Sequence, residues 1–329
     1  MKGGGEPAGF QGASRREGAA PEEPGPEIRR AGISGKPLES CTLGIVGLGL
    51  MGGALALALR RPPGGPPARI LACDTDEDAL KAALDQRLID EAFPDPAPML
   101  PRCDLVFLCL NPSTLLCFLE TWMGSFKKGA LLTDIAGIKG NIVKAVEKNL
   151  REDLDFIPGH PMAGSERGGF ANAARCDFRG KNYILTPLAR NRPENLEALK
   201  ALIRRLGFGR ITETTAADHD RKIAFTSQLC HVIAAALVDC EADLEITRFG
   251  GGSFEDLTRI AMLNAPMWTE LFIENRAELL TRIGQFEESL DALKNLIAPE
   301  NKKTLEEKLA RIRDRRISMT EKNSANQNT

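Results

Sequence analysis

The chain has 329 residues, enough for about two domains, and 43% of them are hydrophobic, enough for a real core. Its formal charge of −2, from 43 basic against 45 acidic residues, leaves no basic excess to argue for nucleic acid or an anionic membrane surface. The longest apolar runs, such as Val232 to Val238, are too short to span a bilayer, the N-terminus has no signal-peptide core, and the eight cysteines include no Cys-x-x-Cys. Zinc and dithiol chemistry therefore have no support, and no metal site is expected. Reduced, mostly buried thiols in a cytoplasmic protein are the expectation.

Residues 1–40 are rich in Gly, Pro, Glu, Arg and Ala and poor in large apolar residues. Such a segment cannot bury enough surface to offset chain entropy, so disorder is expected there. Order is predicted from Cys41. Thr42 to Val46 reads as a buried strand and runs into Gly47-Leu48-Gly49-Leu50-Met51-Gly52, followed by a helix. In a G-x-G-x-x-G loop the first Gly permits the turn, the second lets backbone approach a pyrophosphate, and the third allows close helix–strand packing. The helix N-terminus then offers N–H groups to the phosphates. A second strand, Arg69 to Cys73, ends at Asp74, 22 residues after Gly52. A carboxylate there accepts from the hydroxyls of an adenosine ribose and repels a 2′-phosphate, which favours NAD over NADP. The competing account, a helix cap, suits Asp76 better.

Strand and helix patterns keep alternating: Asp76 to Gln86 as helix, Asp104 to Leu110 as strand, then a helix, Ala130 to Ile135 as strand and Ile138 to Leu150 as helix. Unbroken apolar strands between helices indicate an α/β Rossmann-type, doubly wound parallel sheet over residues 41–214. Ligands in such sheets sit beyond the C-terminal strand ends. The glycine loop, Leu110-Asn111-Pro112 and Asp134 to Lys139 converge there. So does the stretch Asp155 to Gly169, in which Phe156 and Ile157 lead to His160, Ser165 and Glu166. Pro161 pins His160 in extended backbone, and an imidazole titrates near working pH. A structural loop whose His caps a carbonyl is the alternative for that stretch taken alone.

From Ala216 helical periodicity takes over, so residues 215–317 are expected to form an all-helical domain, with 318–329 a polar tail. Asp218 is a candidate cap for a helix to about Glu241. Ser227 and His231, four apart, share a face of it, whereas His219 lies about 120° round from His231 and points elsewhere. A core role for His231 competes with a ligand contact. Gly250-Gly251-Gly252 breaks the chain, and Ser253 is expected to cap a helix carrying Arg259, for which a helical ion pair with Glu255 or Asp256 is the plain alternative. Wide apolar stripes on the later helices suggest a dimerising unit.

With these residues in view, the chain resembles the prephenate dehydrogenase family over about Thr42 to Ile317. The resemblance rests on the glycine loop, Thr133-Asp134 with Ile138-Lys139, Gly159-His160-Pro161-Met162-Ala163-Gly164-Ser165-Glu166, Ser227 to His231, Phe254 to Ala261, and Met267-Trp268. It implies NAD-dependent oxidative decarboxylation of prephenate to 4-hydroxyphenylpyruvate, or the same reaction on arogenate. It also implies His160 as general base and substrate contacts from Ser165, Glu166, His231, Gly252 and Arg259, with Trp268 near the site of the neighbouring protomer of a homodimer. Cofactor contacts are implied from Gly47 to Gly52, Asp74, Leu110, Asn111 and Asp134. One departure is Gly137, where the family usually has a serine between nicotinamide, substrate and histidine. A β-hydroxyacid dehydrogenase using Lys222, or an NAD-binding sensor without turnover, are the other readings of the same glycine loop.

Overall fold

The computed structural model of the chain describes residues 32–33, 35–62, 65–164 and 167–325. Most of the segment expected to be disordered lies outside these residues. Within the same segment, ahead of Cys41, β1 (Gly32–Ile33) and β2 (Lys36–Pro37) nevertheless form an antiparallel pair. Ile33 and Leu38 are buried, so two well-placed apolar side chains suffice to hold it down.

The nucleotide-type domain runs β3 (Thr42–Val46), α1 (Leu50–Arg60), β4 (Arg69–Cys73), α2 (Glu77–Asp85), β5 (Glu91–Phe93), β6 (Leu105–Leu108), α3 (Pro112–Trp122), β7 (Leu131–Asp134), α4 (Gly140–Asn149) and β8 (Asp155–Phe156). These strands form one six-stranded parallel sheet in the order β5-β4-β3-β6-β7-β8. Side chains alternate between its two faces. Leu43, Ile45, Ile70 and Phe107 enter one apolar cluster, and Val46, Leu71, Val106 and Leu108 enter the other. Burial on both sides is why these strands are apolar throughout. The chain leaves β3 toward β4 and returns to β6 on the other side. The crevice at this reversal, beyond the C-terminal ends of β3 and β6, is where the glycine loop and Leu110-Asn111 lie.

His160 does not extend that sheet. Pro158 lacks an N–H and cannot continue the ladder of β8. The chain turns instead into β9 (Gly159–Pro161), the edge of a separate three-stranded sheet, β11-β10-β9. β10 (Asn182–Leu185) pairs antiparallel with β9, opposing Ile184 to His160, and parallel with β11 (Arg210–Glu213) after the crossover helix α5 (Pro193–Arg205).

The helical region comprises α6 (Ala216–Ile223), a π-helical turn at Ala224–Gln228, α7 (Leu229–Asp239), α8 (Gly252–Thr258), α9 (Ala265–Glu274), α10 (Arg276–Lys294) and α11 (Lys302–Ala325). Three local expectations change. Thr215, not Asp218, caps α6, its Oγ1 accepting from the Asp218 N–H at 3.2 Å. Gly251, not Ser253, stands at the N-cap of α8. α11 continues through most of the expected tail, to Ala325.

Ala216–Asp239 is long and apolar enough, by length and composition alone, to cross a membrane. Its first turns, however, carry Asp218, His219, Asp220, Arg221 and Lys222, and Asp220 bonds to the sheet domain. Apart from Leu84, every exposed large hydrophobic side chain described lies at or beyond Phe225, with Leu244 90% and Phe249 85% exposed. That is apolar surface a single copy leaves uncovered. The cysteines are all free, but not mostly buried: Cys117, Cys230 and Cys240 are exposed. Burial pushes the Cys41 thiol up to about 11 and those of Cys73 and Cys103 to about 12.

Candidate active site

The glycine loop is built for close approach. Gly47 has φ +91°, and a Cβ on it would stand 2.5 Å from the Cys109 carbonyl oxygen. A Cβ on Gly52 would stand 1.8 Å from the Gly47 oxygen, so the first turn of α1 packs directly on the loop. Above Gly49 nothing lies within 4 Å. Gly49 is the N-cap of α1 and no side chain caps it, so the helix's first N–H groups point at this open space. The arrangement fits a dinucleotide pyrophosphate. Asp74, partly exposed at the end of β4, accepts from the Leu48 N–H and, at 2.8 Å, from the Asp76 N–H. Its carboxylate is thereby held beside the loop, where an adenosine ribose of NAD would lie.

Gly49 to Gly52, Leu110, Asn111, Gly137, His160 and residues of the helical region line one cavity of about 780 Å³. His160 is positioned from beneath by a buried ion pair. Asp134 and Lys139 are both fully buried and bonded to each other. Asp134 also accepts from the Ala136 N–H at 3.0 Å and the Gly159 N–H at 3.2 Å. These bonds tie the end of β7, the following loop and the start of β9 together. Asp134 is thus a structural anchor under the site and does not line the cavity, contrary to the cofactor contact expected of it. Burial pushes the Lys139 ammonium down, against the opposing pull of Asp134. Gly159 is needed beside His160, because a Cβ there would stand 2.7 Å from the Tyr183 ring.

The His160 ring reaches across to the helical region: its Nδ1 lies 2.9 Å from Nε2 of the buried His219. Nε2 is therefore the His160 ring nitrogen left toward the cavity. A Cβ on Gly137 would stand 3.9 Å from that Nε2 and 3.3 Å from Leu271 Cδ2. The space of the missing serine is thus bordered by Leu271. His219 Nδ1 lies 2.7 Å from Asp220 Oδ1. Asp220 also accepts from the Lys139 and Gly140 N–H groups at 2.8 and 2.7 Å, capping α4 from the other domain. His219, expected to point elsewhere than His231, meets His160 on β9, a contact that no count along one helix reveals. The run Asp218-His219-Asp220, an imidazole between two carboxylates, was the available signal.

The π-turn shifts the register of the helix and brings Ser227, Gln228 and His231 to the cavity. His231 Nδ1 donates to the Ser227 carbonyl at 2.9 Å, and its ring lies 3.7 Å, centroid to centroid, from that of Trp268. Trp268 lines the cavity of its own chain. Gln228 is a scaffold residue: its amide donates to the Leu271 carbonyl at 2.8 Å and accepts from Asn275 at 2.7 Å.

Arg259 and Gly252 are exposed and do not line the cavity, although Ile260 and Met262 do. Arg259 follows the short helix α8 and begins a 3-10 turn. Ser165 and Glu166 lie outside the described residues. Sequence reasoning missed two cations in the cavity lining, Arg175 and Lys181, which share it with the carboxylate of Asp177. Lys222, the base that a β-hydroxyacid dehydrogenase would require, is exposed and paired with Asp218 at 2.5 Å.

Burial, then the neighbouring His219 and Lys139, hold His160 well below the usual imidazole range. Burial also lowers His219, opposed by Asp220, and His231, opposed by the Ser227 carbonyl. The unfolded chain therefore takes up protons on these rings near pH 6.5 while the folded chain does not. Stability present above about pH 6.5 is lost as pH falls toward the folded values. Thermal melts stepped from about pH 7.5 to 5.5 should show a falling midpoint, less steep in His160→Asn; a flat profile would refute the neutral buried imidazoles.

The family model described as prephenate dehydrogenase, nucleotide-binding domain, matches residues 55–212, and that described as prephenate dehydrogenase, dimerization domain, matches residues 215–311. The chain is 29% identical over 270 residues to a prephenate dehydrogenase of Bacillus subtilis, covering 80% of this chain and 72% of that protein. The solved structure of A. aeolicus prephenate dehydrogenase in complex with hydroxyphenyl propionate and NAD+ matches with TM-score 0.76 and 30% identity, over 86% of this chain and 100% of that one. That of Synechocystis arogenate dehydrogenase matches with TM-score 0.70 and 28% identity, over 84% and 99%.

Proposed function

The chain belongs to the prephenate dehydrogenase family, and we propose that it carries out the NAD-dependent oxidative decarboxylation of prephenate to 4-hydroxyphenylpyruvate, in the cytoplasm and as a homodimer. The observation that carries this reading is His160: a neutral imidazole whose Nδ1 is engaged by His219 and whose Nε2 faces the cavity beside the glycine loop. Bound NAD supplies the acceptor for the hydride that leaves the ring carbinol carbon. His160 Nε2 takes up the hydroxyl proton of that carbon. Loss of CO2 follows because it makes the ring aromatic, so no further group is required. Trp268 and His231, one ring lying over the other, belong to the cavity lining and offer aromatic surface suited to a six-membered ring.

The substrate carries two carboxylates, and the cavity lining includes the cations Arg175 and Lys181 beside the carboxylate of Asp177. Arg259 adjoins the lining residue Ile260. Arg259→Ala is expected to raise KM for substrate by about 10- to 100-fold with kcat little changed, the loss of one charge-assisted carboxylate pair. An unchanged KM would confine Arg259 to its own helix.

The deciding assay follows NADH absorbance with purified protein, offering prephenate and arogenate in turn, each with NAD and with NADP. Turnover of prephenate with NAD is the expected result. Arogenate is the second substrate to consider, because of the likeness to the Synechocystis enzyme, and the ratio of the two rates assigns the preference. Tight NAD binding with no turnover of either would favour a sensor.

A further inference from the structure

We propose that His219 and Asp220 form a positioning relay for His160: they fix its tautomer and take over the positive charge that proton uptake creates. The inference rests on the reading of His160 as base and deepens it. Its geometry is a continuous line of hydrogen bonds across the two domains, Asp220 Oδ1 to His219 Nδ1 at 2.7 Å and His219 Nε2 to His160 Nδ1 at 2.9 Å.

The proton positions follow from the far end. A carboxylate oxygen accepts, so the Nδ1 facing it carries the hydrogen. A neutral His219 then presents a lone pair at Nε2. His160 must donate its own Nδ1–H into that lone pair, which leaves the His160 lone pair on Nε2, toward the cavity. A lone His160 would divide between two tautomers, only one of which is a base in the right place. Asp220 is itself held by the Lys139 and Gly140 N–H groups, so the line starts from a fixed point.

The same line handles the product of proton uptake. The substrate hydroxyl proton bonds to His160 Nε2. The Nδ1 proton of His160 passes to His219 Nε2, and His219 keeps its Nδ1–H on Asp220. One proton has been added in total, and the charge rests on an imidazolium beside a carboxylate. His219 is faced by Asp220 from its own helix, by Lys139 from the start of α4, by Asp134 from β7 and by His160 from β9. Of the two rings, His219 has the carboxylate. Among the described residues, the charges that act on His160 are those of His219 and Lys139, both of which disfavour charge on it.

The test uses the full chain, with NAD titration and thermal melting as controls. His219→Leu removes the acceptor for His160 Nδ1–H, and kcat should fall by about 10²–10⁴-fold while Kd for NAD stays within about twofold. His219→Gln retains an acceptor oxygen where Nε2 stood but cannot take a proton. It should recover part of the rate, and the acid limb of its kcat/KM profile should move to lower pH, because protonated His160 has lost its charge partner. Asp220→Asn should move the limb the same way. A merely structural role would lower activity or melting temperature without moving the limb, and that outcome, like wild-type kcat in His219→Leu, would overturn the relay. If His219→Leu fails to fold, the Gln and Asn variants decide by the same limb. Inactivity of the unmutated protein toward both substrates would instead count against the proposed function.

Discussion

His160→Asn should lower kcat by about 10²–10⁴-fold, the usual contribution of a general base, while leaving Kd for NAD unchanged. The substitution is selective for a physical reason. Asn places an N–H near the position of Nδ1, so the bond to His219 Nε2, now 2.9 Å, keeps a donor. What is lost is Nε2, the ring nitrogen toward the cavity. The glycine loop and Asp74 are untouched by the substitution and should bind the dinucleotide as before. Steady-state rates of NADH formation, with a separate NAD titration by intrinsic fluorescence, measure the two effects apart. Near-normal kcat would show that the proton leaves by another route.

Asp134→Ala should be the most damaging single change to stability, by about 3–5 kcal/mol, the range for removing one partner of a buried ion pair. Lys139 is fully buried and would lose its ion-pair partner. The Ala136 and Gly159 N–H groups would lose their acceptor as well. Because Gly159 precedes His160, the damage reaches catalysis: kcat should fall in whatever fraction remains folded. Asp134→Asn combined with Lys139→Met removes both charges and keeps one acceptor oxygen, so it should recover at least half of the loss. Urea unfolding followed by circular dichroism tests this series. If Asp134→Ala cost under about 1 kcal/mol, the pair would be far less isolated from water than its burial implies.

Much of this protein was legible from one-dimensional pattern alone. Thr42 to Val46 followed by three spaced glycines, and Asp74 at the end of the next strand, identify a dinucleotide loop because each position answers a local steric or charge demand. The alternation of apolar strands and helices determined the parallel sheet, since only burial on both faces calls for strands with no polar side. His160 stood out because Pro161 fixes its backbone and Gly-rich sequence surrounds it. The errors at Gly32, Thr215 and Ala325 concern ends of elements, where a single buried Ile33 or a single cap outweighs composition.

The tertiary structure alone decided how the site is wired. His219 and His160 are 59 residues apart and belong to different domains, so no periodicity along either element relates them. Asp134 looked like a rim residue but serves under the floor, because Lys139, five residues on, folds back onto it. Arg259 is exposed and outside the cavity lining, although its neighbour Ile260 belongs to it. Sequence pattern reports which face of an element is apolar and where backbone must bend. Which polar groups meet across two elements depends on how those elements pack, and packing is settled by the whole buried surface at once.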